Sequence, residues 1–346
     1  MKFSIVIPAY NGEKYIYEAL RCAYLQERSA DEIIVYDDGS TDKTWEICNR
    51  DEFRGQLHLY KNPEGPSGFV NAWNKAISKA NGDYITLLHQ DDLLDLRYLK
   101  IIEEVLRDYP DVKQIYSGCN YIDEKGNITE LAAEGLSSKA QLYSGREYRK
   151  KYLRASAIDR HIHRCPGVTT HKKIFESCTY REEAGLIADD DFFFRVGKYT
   201  DVIGISTPLA SYRHHGNSET GHLEKVQLND RLAKDYLFQS QFHASCEYFE
   251  REDVMLLNKL AVDNINSLMR YGLLFRDKHY AIKAEKYRSE LKLVYPNTFY
   301  DYMPFRHRLM WILHKYFRGI GLDISYVALL DYARQKRDKY KLLTKR

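Results

Sequence analysis

No stretch of the 346-residue sequence gathers the roughly 18 successive apolar residues that a membrane-crossing helix needs. The beginning, Met1-Lys2-Phe3-Ser4, runs straight into a strand-like segment without the pattern of a secretory leader, so a cytoplasmic protein is expected. None of the six cysteines (Cys22, Cys48, Cys119, Cys165, Cys178 and Cys246) pairs as C-x-x-C, and their spacing is irregular. That argues against a zinc framework or a disulfide scaffold and for reduced thiols filling the core. Glycine-rich phosphate loops are missing as well. Pro8-Ala9-Tyr10-Asn11-Gly12 does not match G-x-G-x-x-G, and G-x-x-x-x-G-K-[ST] occurs nowhere. The first absence disfavours a dinucleotide-binding enzyme and the second removes the P-loop class. Internal repeats and low-complexity tracts are also lacking.

The first 120 residues alternate short β-branched runs with helical periods. Strands are expected at Lys2–Pro8, Glu32–Asp37, Leu57–Tyr60, Asp83–Leu88 and Val112–Tyr121. Helices are expected at Glu13–Leu25, Thr41–Arg50, Ser67–Ala80 and Leu96–Asp108, the last stopping before Pro110. This order predicts an α/β fold: a mostly parallel sheet flanked by helices. Residues 130–220 are more irregular. Beyond Gly221 the pattern turns helical, over Leu223–Glu250, Asp253–Tyr271, His279–Leu293 and Arg306–Tyr316. We therefore divide the chain into a catalytic domain, 1–220, and a helical C-terminal region, 221–346.

The net charge of +3 conceals an asymmetry. Residues 303–346 hold eleven Lys/Arg against three Asp, a local +8, while the other residues carry −5. The last helical stretch, Ile324–Leu343, has an apolar and a basic face, the pattern of a helix that lies on an anionic membrane surface or meets another subunit. A nucleic-acid partner is not expected.

Such sheets gather ligands at the carboxyl ends of their strands. Polar residues cluster there in three places: Pro8-Ala9-Tyr10-Asn11, Asp37-Asp38-Gly39-Ser40-Thr41-Asp42, and His89-Gln90-Asp91-Asp92. The second and third have a plainer reading. Ser40 or Thr41 would cap the following helix, and so would Asp92 or Asp95. Adjacent carboxylates at a strand end repel, however, and a hard cation such as Mg²⁺ or Mn²⁺ relieves that repulsion while bridging to phosphates. The tryptophans Trp45, Trp73 and Trp311 sit among apolar neighbours and are expected in the core.

In sequence order, Ile5-Val6-Ile7-Pro8-Ala9-Tyr10-Asn11, Asp37-Asp38-Gly39-Ser40-Thr41-Asp42, Asn71-Ala72-Trp73-Asn74, Ala80-Asn81-Gly82-Asp83-Tyr84-Ile85 and His89-Gln90-Asp91-Asp92 resemble the family-two GT-A glycosyltransferases. The resemblance covers about residues 1–220. It implies a GT-A fold and inverting transfer of a sugar from a nucleotide-sugar, UDP-linked by preference, to a glycan or lipid-linked glycan acceptor. By the same resemblance, Pro8, Ala9, Tyr10 and Asn11 line the nucleoside site, with Asn71 and Gln90 beside it. Asp38 bonds the base, with Asp37 adjacent. Asp91 and Asp92 meet ribose, metal and diphosphate. His89 stands where relatives carry the first Asp of D-x-D.

Asp189-Asp190-Asp191 before Phe192-Phe193-Phe194-Arg195 resembles the family's E-D-x-D-l-w-x-R segment, with Ala188 in place of its first acid. This implies that Asp189 is the general base, with Asp190 a substitute and Asp191 part of the catalytic segment. The plainer reading is an acidic helix start. Tyr212-Arg213-His214-His215-Gly216-Asn217-Ser218 resembles Y-R-x-H-x-x-S and implies His215 as a third ligand of Mn²⁺ or Mg²⁺, with Arg213 or Ser218 at phosphate. Two rivals stand beside this reading: a nucleotidyltransferase, and a nucleotide-sugar-binding module without activity. A homo-oligomer and attachment to the inner face of the membrane are further expectations.

Overall fold

The computed structural model describes residues 1–53, 55–130, 140–156, 162–219, 221, 223, 225–244, 250–274, 278–294 and 311. The chain forms two compact units, Met1–His222 and Leu223–Arg346.

In the first unit the strands are β1 (Phe3–Ala9), β2 (Glu32–Asp37), β3 (Leu57–Lys61), β4 (Tyr84–Leu87), β5 (Leu93–Leu94), β6 (Gln114–Ile122), β7 (Ile128–Glu130), β8 (Ala140–Tyr143), β9 (Val168–His171) and β10 (Val202–Arg213). Between them lie the helices α1 (Ile16–Tyr24), α2 (Thr44–Cys48), α3 (Phe69–Ser78), α4 (Tyr98–Asp108), α5 (Gly145–Ser156), α6 (Lys172–Phe175) and α7 (Ala188–Val196). Ten strands form one sheet in the order β3-β2-β1-β4-β9-β6-β10-β5, with β7 on β6 and β8 on β10. β1, β2 and β4 are buried throughout, as expected of apolar runs covered on both faces. Helices α1, α2 and α4 cover one face. Helices α3, α5, α6 and α7 cover the other.

The expected parallel character is present, in the pairs β1 with β2, β1 with β4, and β2 with β3. β9 interrupts them, lying antiparallel between β4 and β6. Two reversals restore the direction, so β6 and β10 run parallel to each other and to β4. The carboxyl ends of six strands therefore open on one edge. The twelve residues of β10 are the longest strand, inside a region whose sequence pattern is irregular; register shifts around Pro208 bend it.

All four helices expected in the first 120 residues begin two or three residues later than their periodicity suggests, at Ile16, Thr44, Phe69 and Tyr98, and ahead of the first two the loop makes bonds of its own. Gly12 O receives the amides of Tyr15 and Ile16, delaying α1 to Ile16. Ahead of α2 the capping oxygen belongs to Asp42, which accepts the Thr44 amide at 2.9 Å, and not to Ser40 or Thr41. Five cysteines are free and buried, and Cys246 lies outside the described residues.

The second unit contains α8 (Lys225–Ala244), α9 (Arg251–Leu274) and α10 (Lys278–Val294), which pack on one another. Lys283 pairs with Asp230, which also accepts the Tyr287 hydroxyl at 3.0 Å. Trp311 is buried, as expected, and donates to Asn266 at 2.7 Å. The segment Ile324–Leu343 and, Trp311 apart, the other residues of the basic tail lie outside the described residues. Among the described residues no helix is long and apolar enough to cross a membrane.

Candidate active site

The first three strand ends are tied together by side chains. Asn11, at φ 47°, takes a left-handed conformation that asparagine tolerates. From there its amide donates to Ser40 Oγ, and its Oδ1 accepts the Thr41 amide at 2.9 Å. Gln90 grips Tyr10 from the other side: Oε1 accepts the Tyr10 amide at 2.9 Å and Nε2 donates to the Tyr10 carbonyl at 3.0 Å. The expected nucleoside-side residues Pro8, Ala9, Tyr10, Asn11, Asp37, Asp38 and Gln90 thus share one edge, with the Tyr10 ring exposed. Asp38 is buried and accepts from Asn62, from Ser67 Oγ and from the Ser67 amide at 2.7–2.8 Å. Asp37 is fully buried. Its Oδ1 takes the Ser40 amide at 2.8 Å, while Oδ2 has no partner. Asn71 lies on α3 and bonds to Ser67 O and Glu182.

At the end of β4 the acidic group is asymmetric. Asp92 is fully buried; Oδ1 accepts the Arg213 amide at 2.8 Å and Oδ2 has no hydrogen bond. That Oδ2 lies 3.5 Å from His89 Nδ1. Burial and the Asp91 charge push the Asp92 pKa up to about 6. Burial also opposes ionisation of Asp91, but the hydrogen bond from His215 and the field of His89 outweigh it and hold the Asp91 pKa below its ordinary value. Burial disfavours a charged His89, yet the Cys165 sulfur and the Asp92 carboxylate beside it raise its pKa well above the usual value.

Ligand atoms of His89, Asp91 and Asp92 lie within 4.8 Å of one another. Two carboxylates and an imidazole suit Mg²⁺ or Mn²⁺, and the unpartnered Asp92 Oδ2 is the open acceptor such an ion needs. His215, expected as the third ligand, reaches this group through Asp91. Its Nε2 lies 2.8 Å from Asp91 Oδ2, and its Nδ1 accepts the Asn217 amide at 3.3 Å.

Two readings of the sequence are corrected here. Arg213 does not face a phosphate site. It is 1% exposed, and its guanidinium donates to Asp91 O (2.8 Å), Asp123 O and Glu124 O (3.3 Å each) and Glu18 (2.7 Å). Trp73 is not simply core. Half-buried on α3, it stacks on His89, ring centres 4.8 Å apart at 22°, with Tyr180 and Phe69 edge-on to it. Trp45 is likewise half-buried, beneath Lys61 Nζ.

The three aspartates fall in the first turn of α7, where negative charge suits the helix dipole, and their environments diverge. Asp191 is buried and gripped by Arg181 and Arg195. Asp190 accepts the Tyr152 hydroxyl. Asp189 is partly exposed, and its Oδ1 takes the Asp190 amide at 2.9 Å. Burial and the Asp190 charge raise the Asp189 pKa to about 6, against the opposing fields of Arg164 and His89. A carboxylate so placed ionises near neutrality, which suits a general base.

Residues 4–169 match the model of glycosyl transferase family 2. An uncharacterised glycosyltransferase of Rickettsia conorii is 37% identical over 142 residues, 40% of this chain and 22% of that protein. GlyG of Streptococcus pneumoniae serotype 4 is 32% identical over 125 residues, 36% of this chain and 42% of that protein. The chain thus spans less than half the length of these relatives. Residues 1–349 of Staphylococcus aureus TarS, solved with UDP-GlcNAc, give a TM-score of 0.53 at 16% identity, covering 87% of this chain and 91% of that one. The mannosyltransferase PcManGT of Pyrobaculum calidifontis, solved with GDP-Man and Mn²⁺, gives 0.51 at 16% identity over 87% of this chain and 88% of that one.

Proposed function

Because residues 4–169 belong to glycosyl transferase family 2 and fold as a GT-A domain, we propose that the protein is an inverting glycosyltransferase using a nucleotide-sugar, UDP-linked by preference. The acceptor is a glycan or lipid-linked glycan of a cell-surface polysaccharide. The observation that carries this reading is the cluster of His89, Asp91 and Asp92 at the end of β4, whose ligand atoms lie within 4.8 Å of one another and whose Asp92 Oδ2 has no hydrogen-bond partner.

The nucleoside lies along the ends of β1 and β2, near the open Asp37 Oδ2. His89, Asp91 and Asp92 would hold Mn²⁺ or Mg²⁺, with His215 orienting Asp91, and charge neutralisation of the departing diphosphate is the chemistry that such an ion would supply there. Asp189 takes the acceptor's hydroxyl proton as that oxygen attacks the anomeric carbon, and the bond from that carbon to the diphosphate breaks. TarS and PcManGT, with UDP-GlcNAc and GDP-Man, support a nucleotide-sugar donor. The nucleotidyltransferase rival lacks support in the β1 end, where Asn11 and Gln90 tie down a loop that is not glycine-rich. Beyond the described residues, the +8 segment 303–346 gives the protein a means of meeting an anionic membrane.

The test is release of nucleoside diphosphate from a panel of nucleotide-sugars with Mn²⁺ or Mg²⁺. Release that stops in EDTA and in Asp189→Asn is expected. A folded protein that binds no member of the panel refutes the reading.

A further inference from the structure

Past β4 the same edge carries a second set of side chains that donor binding does not use. Tyr121 of β6 is in register with Tyr212 of β10, their rings edge-on at 5.9 Å. His214 lies flat on Tyr121, ring centres 5.4 Å apart at 12°. Against both tyrosines rests Arg164, from the segment leading into β9. Its guanidinium carbon is 5.3 Å from the Tyr121 ring centre and 5.2 Å from that of Tyr212. Its Nε donates to the Tyr121 hydroxyl at 2.9 Å.

The other arginines near this edge are held in ion pairs. Arg213 is bonded at Nε, Nη1 and Nη2, and Arg181 and Arg195 share Asp191. Arg164 differs: among the described residues its Nη1 and Nη2 make no hydrogen bond or ion pair. It is partly buried, with one side packed by aromatic rings. A guanidinium held this way keeps its charge, has few rotamers left to lose, and presents a planar fork suited to an oxyanion.

Position indicates which oxyanion. The residues proposed for the donor stand at the ends of β1, β2 and β4. Arg164, Tyr121 and Tyr212 lie beyond them, across β9, on the part of the edge that the proposed donor residues leave free. We infer that Arg164, held by Tyr121 and Tyr212, binds an anionic group, a phosphate or a carboxylate, on the acceptor. This rests on the transferase reading of the same edge. It selects charged acceptors, because a neutral one leaves the half-desolvated guanidinium without a partner.

The experiment uses the full chain saturated with UDP and Mn²⁺, titrated calorimetrically with methyl phosphate, then acetate, at constant ionic strength set with chloride. Wild type should bind methyl phosphate. Arg164→Met, which keeps the apolar stem against the rings, should bind about tenfold more weakly or worse. Arg164→Lys should fall between, and UDP affinity should match in all three. Equal methyl phosphate binding by wild type and Arg164→Met overturns the inference, and so does no binding by wild type. Competition between methyl phosphate and UDP, or weakened UDP binding in Arg164→Met, assigns the guanidinium to the donor diphosphate and also overturns it. Failure of wild type to bind UDP counts against the transferase reading alone, since the anion titration then runs without nucleotide. Should Arg164→Met not fold, Tyr121→Phe removes only the hydroxyl that holds Nε; it should weaken methyl phosphate and spare UDP, and unchanged methyl phosphate affinity overturns the inference.

Discussion

Replacing Arg213 with Met separates a folding role from a phosphate-binding one. The guanidinium lies in the interior and joins three segments: the end of β4 through Asp91 O, the turn after β6 through Asp123 O and Glu124 O, and α1 through Glu18. Methionine fills much of the volume and supplies none of the donors. The 2.8 Å bond to Asp91 O is charge-assisted and contributes about 1.5–3 kcal/mol. The two 3.3 Å bonds are long and add about 0.5–1 kcal/mol each. The Glu18 pair adds less, about 0.2–1 kcal/mol, because that carboxylate is half-exposed. Loss of the guanidinium packing over Tyr15, at 4.7 Å, works in the same direction. Arg213→Met should therefore cost about 3–5 kcal/mol and lower Tm by roughly 6–20 °C for a unit of this size. Thermal unfolding by circular dichroism measures it, with UDP affinity taken well below Tm. A variant with wild-type Tm and much weaker UDP binding would show that Arg213 serves the diphosphate.

The remaining predictions concern the aspartates. Asp189→Asn should cut sugar transfer by about 10²–10⁴ and leave UDP affinity unchanged; wild-type transfer should fall about tenfold from pH 7 to pH 5 as the base protonates through its pKa near 6. Unaltered turnover in this variant removes Asp189 as the base. Asp92, raised from 3.8 to about 6 in the fold, favours the folded state when protonated, so its ionisation erodes stability as pH rises through that range. Asp92→Asn should then be more stable than metal-free wild type at pH 7.5 by about 1–3 kcal/mol, should lose that advantage progressively between about pH 6 and pH 4, and should show no stabilisation by Mn²⁺. A variant less stable than wild type at pH 7.5 contradicts this. Asp191→Asn leaves Arg181 and Arg195 facing each other without their counter-charge, and should destabilise by about 3–5 kcal/mol in thermal melts. Wild-type stability combined with lost turnover would return Asp191 to the chemistry.

Local pattern carried far in the first 88 residues, where each strand is an apolar run covered on both faces or a neighbour of one. The runs Lys2–Pro8 and Glu32–Asp37 needed only their own apolar continuity to be read as strands of a mostly parallel sheet. β9 left no such trace. Val168–His171 is four residues long, and its place between β4 and β6 depends on register with Thr86 and Ile115, which no spacing within the segment encodes. Side-chain roles divided in the same way. The Asp91–Asp92 pair was legible because adjacent carboxylates at a strand end are costly without a cation. Asp191 could not be told from Asp189 until Arg181 and Arg195 were seen on it. Arg213 stood in a motif with phosphate-like chemistry, but its interior position follows from packing among four segments. Arg164 stood in no motif; only the paired tyrosines on β6 and β10 make it conspicuous.

The bond from the Arg213 amide to Asp92 Oδ1 spans 121 residues of chain, and this has a bearing on synthesis. During translation at about 5–20 residues per second, the nascent Asp92 waits roughly 6–24 s before its partner has been made. Throughout that interval β6 lacks β10 along one side, and a bare strand edge invites pairing with other chains. Ribosomes that stall before residue 213 would hold a chain whose first four parallel strands can pair but whose acidic site has no amide to close it. The last strand of the sheet is thus a checkpoint in biogenesis: the acidic cluster at the end of β4 is closed only in chains that have been translated through β10.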